Sequence, residues 1–147
     1  MRYRDKKELQ FHPISKYKSF EIPLMSSTVA AGFPSPAEDH LDLPIDLNEY
    51  LVKHPAATFY VRVQGESMDD AGIHPGDLLI VDRSEPYVTA SIVLAVLDGE
   101  FTVKKLMKKN GSLYLISSNL SYKPIKIEVE SDFKVWGVVT YIIHRAL

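Results

Sequence analysis

The dipeptide Asp98-Gly99 constrains this chain more than any other feature. It stands between an apolar run, Ser91 to Leu97, and a second run from Glu100 to Met107. A type I′ two-residue hairpin turn needs positive φ at both central positions, which Asp tolerates and Gly adopts freely. The two flanking runs are therefore predicted to be adjacent antiparallel strands. Further turn formers, Pro75-Gly76, Asn110-Gly111 and Lys123-Pro124, divide the neighbouring sequence into short pieces. The pieces Thr58–Gln64, Leu78–Asp82, Leu113–Ile116, Ile125–Val129 and Lys134–Ile143 read as further strands. Short strands at this spacing predict a mainly β fold, a partly open barrel of short strands with little helix.

The first part of the chain reads differently. Residues 1–31 show no sustained helical or strand period and are expected to form a flexible N-terminal arm. Met1 to Gln10 could make a short charged helix that Phe11-His12-Pro13 would break, and Phe20 to Leu24 could be a short edge strand. The arm is too short for a helix-turn-helix domain, which needs about three packed helices. Gly32 to Pro44 is Pro-rich and reads as irregular. In Ile45 to Val52, the spacing of Leu47, Tyr50 and Leu51 predicts a short amphipathic helix with Asp46 as N-cap.

Composition narrows the function. Cysteine is absent, which excludes disulfides and thiolate metal sites and is compatible with a reducing compartment. The five histidines, His12, His40, His54, His74 and His144, have no metal-ligand spacing, so no metal and no cofactor is expected. No apolar run approaches the ~18 residues of a membrane span, and no export signal follows the basic N-terminus. The expectation is a cytoplasmic protein with no membrane association. Residues 1–31 hold six basic and three acidic side chains, a balance of +3 against −5 for the remainder. An acidic body argues against broad binding to a phosphate backbone, so contact with DNA is expected only indirectly.

One stretch carries chemistry. After the alternating run Thr58 to Val63 comes Gln64-Gly65-Glu66-Ser67-Met68-Asp69. A strand that ends at Gly and presents Ser in a turn can lift a hydroxyl out of a sheet, beside backbone N–H groups able to hold an oxyanion. Ser needs a base. His74 is the nearest histidine in sequence, and no His-Asp triad signature is present. A lysine can serve if burial disfavours its charged form. Lys104 and Lys105 lie on the second strand of the predicted hairpin, and strand alternation sends them to opposite faces without choosing between them.

Three segments then point to one family. Gly65-Glu66-Ser67-Met68 with Gly76 to Asp82, Asp98 to Leu106, and Ala31 to Ala37 (Ala-Gly-Phe-Pro-Ser-Pro-Ala) together resemble the self-cleaving Ser/Lys peptidases of the SOS response. This is the UmuD-like group, which shares its peptidase domain with the LexA repressor. The resemblance runs from about Gly32 to the C-terminus, with the motifs in the family's order. It departs at Ala31, where some members have Cys, and at Ala90-Ser91-Ile92-Val93, where Gly-Asp-Ile-Val is common.

The resemblance implies a fold like that of the LexA and signal-peptidase domains, a Ser67 nucleophile and Lys104 as general base. It implies oxyanion contacts from backbone N–H groups near Ser67 and Met68, and a self-cleaved bond between Ala31 and Gly32. The domains would be 1–31, an arm removed by self-cleavage, and 32–147, a β-rich peptidase and dimerisation domain. The implied partners are a second copy in a homodimer, a UmuC-like Y-family DNA polymerase in error-prone translesion synthesis, and the RecA nucleoprotein filament as activator after DNA damage. The competing readings are a non-cleaving dimeric docking module that regulates a polymerase, and a general Ser/Lys peptidase acting in trans.

Overall fold

In a computed structural model of the chain, the residues described are 9–13, 21–22, 44–65, 68, 71–119 and 121–146. Two compact units are present, Ser15–Lys53 and a larger one made of Met1–Ile14 with His54–Leu147.

In the smaller unit a two-stranded antiparallel ladder joins β2 (Glu21–Ile22) to β3 (Ile45–Asp46), in the register Glu21 to Asp46 and Ile22 to Ile45. Helix α1 (Leu47–Leu51) follows at once. The Asp46 side chain accepts from Asn48 N–H at 2.8 Å, as the N-cap expectation required.

The larger unit is built from β1 (Leu9–Pro13), β4 (Thr58–Val63), β5 (Leu78–Asp82), β6 (Ile92–Leu97), β7 (Glu100–Lys109), β8 (Ser112–Ile116), β9 (Ile125–Lys126) and β10 (Phe133–Ile143). They form one sheet in the order β1-β4-β5-β10-β6-β7-β8-β9, with every neighbouring pair antiparallel. The sheet is open, with β1 and β9 as its two edges. The Asp98-Gly99 turn joins β6 to β7 and has φ of 49° and 83°; Asn110-Gly111 joins β7 to β8 with 51° and 76°. Both are the positive-φ pairs that a type I′ hairpin turn requires.

Two features of the sheet differ from the sequence expectation. Leu9 and Gln10 belong to a strand, not to the end of a short charged helix, because Leu9–Pro13 lies along β4 in the register Leu9 to Val63 and Pro13 to Phe59. Pairing with a preformed edge decides the conformation of five residues whose own pattern is weak. Strand β10 is also not one regular run. Its register shifts between Val135 and Gly137 against β6, and between Val139 and Tyr141 against β5. These bulges bend a long strand that must pair on both sides. Gly137 is required at the first of them, since a Cβ there would stand 2.6 Å from Val81 Cγ1 and 3.3 Å from the Asp82 carbonyl oxygen.

Apolar side chains pack in two clusters. One holds Val61, Val63, Met68, Ile73, Leu79, Val81, Leu94 and Val103; the other holds Val93, Ala95, Leu106, Leu115 and Val138. Val93, Leu94 and Ala95 alternate between the clusters and are fully buried, so β6 is covered on both faces. Trp136 closes the first cluster against Phe59, with ring centroids 5.1 Å apart, and carries the Arg83 guanidinium 4.4 Å from its ring.

Candidate active site

Strand β4 ends at Val63, and the chain leaves the sheet through Gln64 and Gly65, where φ is 101°. The excursion closes on itself before β5 begins. Val63 N–H donates to the Asp77 carbonyl at 2.9 Å, and Gly76 N–H donates back to the Val63 carbonyl at 2.8 Å. Within it, Met68 turns inward and is 3% exposed. Its carbonyl accepts from Ala71 N–H at 3.0 Å and Ile73 N–H at 3.2 Å, and its sulfur accepts from Ser118 N–H at 3.4 Å. Met68 is thereby fixed by core packing and by its own backbone. Ser67, the expected nucleophile, lies outside the described residues, as do Ala31 and Gly32 of the expected cleavage site.

Of the two candidate lysines, Lys104 is buried, at 9% exposure, whereas Lys105 is half-buried. Lys104 sits at the middle of β7, opposite Val93 of β6, and its Nζ donates to the Val103 carbonyl at 3.2 Å. A lysine here is flanked by Val103 in one core cluster and Leu106 in the other. Met68, next in sequence to Ser67, and Val103, next in sequence to Lys104, belong to the same cluster. The packing thus ties the turn after β4 to the middle of β7, although the two are distant in sequence.

Asp77 anchors the far end of the excursion. Its carboxylate is buried; Oδ2 accepts from His74 N–H at 2.8 Å and Oδ1 accepts from His144 Nδ1 at 2.6 Å. The His74 and His144 rings meet edge to face at 5.2 Å. His74, the histidine nearest to Ser67 in sequence, is therefore engaged with the Asp77 corner. At the other end of β5, Asp82 is buried and accepts from His54 Nδ1 at 2.6 Å and from Ser84 N–H at 2.8 Å. Sequence reasoning found neither His–Asp pair, because their members are 67 and 28 positions apart and no spacing signals them. Glu85 joins His54 and Asp82, with ligand atoms of the three within 4.8 Å of one another, so these are the described residues that could hold a metal ion.

The chain matches the Peptidase S24-like family over residues 23–140. The chain belongs to that family. Protein ImpA of Salmonella typhimurium is 44% identical over 128 residues, which are 86% of this chain and 86% of that protein. Protein MucA of Escherichia coli is 41% identical over 121 residues, 82% of each. The LexA repressor of Pectobacterium carotovorum is 36% identical over 126 residues, 85% of this chain and 61% of the repressor. As a member of the family, the chain is a self-cleaving serine peptidase related to the SOS response and mutagenesis. No helix among the described residues is long and apolar enough to cross a membrane.

Proposed function

We propose that the chain cuts its own bond between Ala31 and Gly32, with Ser67 as nucleophile and Lys104 as general base. The observation that carries this reading is the burial of Lys104 at the centre of β7, beside a half-buried Lys105. Withdrawal from water in general disfavours an ammonium, and a general base must be the uncharged amine, so burial supports the choice of Lys104.

Lys104 Nζ takes the Ser67 hydroxyl proton as Oγ attacks the Ala31 carbonyl carbon. Backbone N–H groups near Ser67 and Met68 hold the oxyanion. The tetrahedral intermediate breaks the bond to Gly32 nitrogen, which receives the proton from Lys104. Water then attacks the Ser67 ester, giving up a proton to Lys104, and releases an Ala31 carboxylate while Ser67 recovers its hydroxyl. The tethered bond needs no substrate affinity, because attachment to the same chain supplies a high effective concentration.

The trimmed chain, 32–147, acts as a homodimer in the cytoplasm and serves as accessory subunit of a UmuC-like Y-family polymerase, with the RecA filament as the activator of cleavage. Membership in the family and the likeness to ImpA and MucA support this reading. Co-purification of the trimmed chain with its polymerase tests it. A polymerase that binds and copies past lesions equally well with and without the chain would refute it.

A further inference from the structure

Among the described residues, strand β1 is the outermost strand of the large sheet and pairs with β4. It spans Leu9–Pro13 and so falls entirely on the N-terminal side of the proposed cut. We infer that self-cleavage frees the outer edge of β4, and that this edge then takes an extended strand of a partner protein in which apolar residues alternate as Leu9, Phe11 and Pro13 do in β1. The inference rests on the proposed cut between Ala31 and Gly32.

The backbone pattern says which groups are freed. Val63 N–H donates to the Asp77 carbonyl, on the β5 side of β4. Donors alternate along an antiparallel strand, so Val61 and Phe59 N–H point the same way, and Tyr60 and Arg62 N–H point toward β1. Their partners in register are His12 and Gln10. Pro13 stands opposite Phe59, at a position whose N–H would face away from β4, where a proline removes no bond. The strand seated on this edge therefore has the pattern of an edge strand, and it shows what the edge accepts. Val61 and Val63, both buried, stand opposite Phe11 and Leu9, so the apolar positions of an incoming strand share the face of the first core cluster.

The cut removes the tether that holds β1 in place. A tethered strand competes for its edge at an effective concentration on the order of millimolar, and a freed fragment at micromolar concentration does not. The released piece carries only the five residues of β1 and the two of β2 as strand, too little to stay by its own affinity, since even a two-stranded hairpin is marginal alone. An unpaired edge is a template for another strand, and strand addition is a recurrent mode of peptide recognition.

The test uses the full chain and a labelled peptide of residues Lys6 to Ile14 as the probe. Three proteins are compared: Ser67→Ala, Ser67→Ala carrying Gln10→Pro and His12→Pro, and the wild-type chain after incubation, checked by intact mass. The two prolines remove the β1 donors that face β4 and open the edge without any cut. The peptide is expected to bind the proline variant and the cut chain at least about tenfold more tightly than Ser67→Ala, the factor set by competition with the tethered strand. Tyr60 and Arg62 amides are also expected to exchange about tenfold faster in the first two, with Val61 unchanged. Binding that ignores β1, or unchanged exchange at Tyr60 and Arg62 in the proline variant, would overturn the inference. So would protection of those amides that rises with the concentration of cut chain without peptide binding, which would assign the edge to a second copy. Absence of a cut in the wild-type chain would refute the cleavage reading instead, and the two Ser67→Ala proteins would still decide the edge.

Discussion

Met68 is the side chain that fastens the turn beside Ser67 to the core, and replacing it separates the effect of position from that of chemistry. Met68→Ala removes three heavy atoms from a site that is 3% exposed and packed among Val61, Val63, Ile73, Leu79 and Val103. Transfer of the lost groups accounts for about 2 kcal/mol at ~0.8 kcal/mol per methylene. The residual cavity brings the expected loss to roughly 2–5 kcal/mol, the usual range for such truncations. With a urea slope of about 1–3 kcal/mol/M, the midpoint falls by on the order of 1–2 M. Met68→Leu keeps the volume and is expected to lose less than about 1.5 kcal/mol, although Ser118 N–H loses its sulfur acceptor. Urea unfolding followed by tryptophan fluorescence of Trp136, in a Ser67→Ala background, measures both without interference from cleavage. In the cleavable chain, Met68→Ala should slow processing by more than its unfolded fraction explains, and Met68→Leu should restore most of the rate. A loss below about 1 kcal/mol for Met68→Ala would refute the claim that this side chain pins the turn.

Three further substitutions test other parts of the account. Gly137→Ala should destabilise by about 1–3 kcal/mol through the 2.6 Å approach to Val81 Cγ1, and Val81→Ala should relieve part of that loss in a double-mutant cycle; simple additivity would contradict it. Lys104→Met should abolish cleavage by intact mass while leaving thermal stability equal or higher, since it removes a buried polar amine and keeps the apolar stem; a chain that still cuts itself would remove Lys104 from the mechanism. Asp77→Ala should lower stability by about 1–3 kcal/mol, because His74 N–H loses its buried acceptor, and hydrogen exchange should show the loss concentrated in residues 71–77; uniform exchange across the sheet would contradict a local anchor.

The parts of the fold that were legible in the sequence are those set by local chemistry. Asp98-Gly99 and Asn110-Gly111 specify their hairpins because few residues adopt two consecutive positive φ angles. Asp46 specifies the start of α1 because its carboxylate reaches Asn48 N–H within three residues. Features decided by distant partners were not legible. Leu9–Pro13 becomes a strand only because β4 offers an edge, and Ile125–Lys126 stops two residues into a run that reads as strand to Val129. The bulges of β10 come from the need to match β5 and β6 at once, which no pattern in Phe133–Ile143 announces. The site follows the same rule. Alternation shows that Lys104 and Lys105 face opposite ways, but both faces of the sheet carry apolar clusters, so only the packed structure shows which lysine is buried. The His144–Asp77 and His54–Asp82 pairs are long-range contacts with no local trace.

Ser/Lys self-cleavage between Ala31 and Gly32 is tested by the intact mass of the purified chain after incubation at about pH 7 and about pH 10, beside Ser67→Ala. An amine base acts only when uncharged, so its active fraction grows as the pH rises toward and through its pKa. A new species beginning at Gly32, formed faster at the higher pH and absent from Ser67→Ala, is the expected result. A species that forms equally fast at both pH values, begins elsewhere, or persists in Ser67→Ala would contradict it.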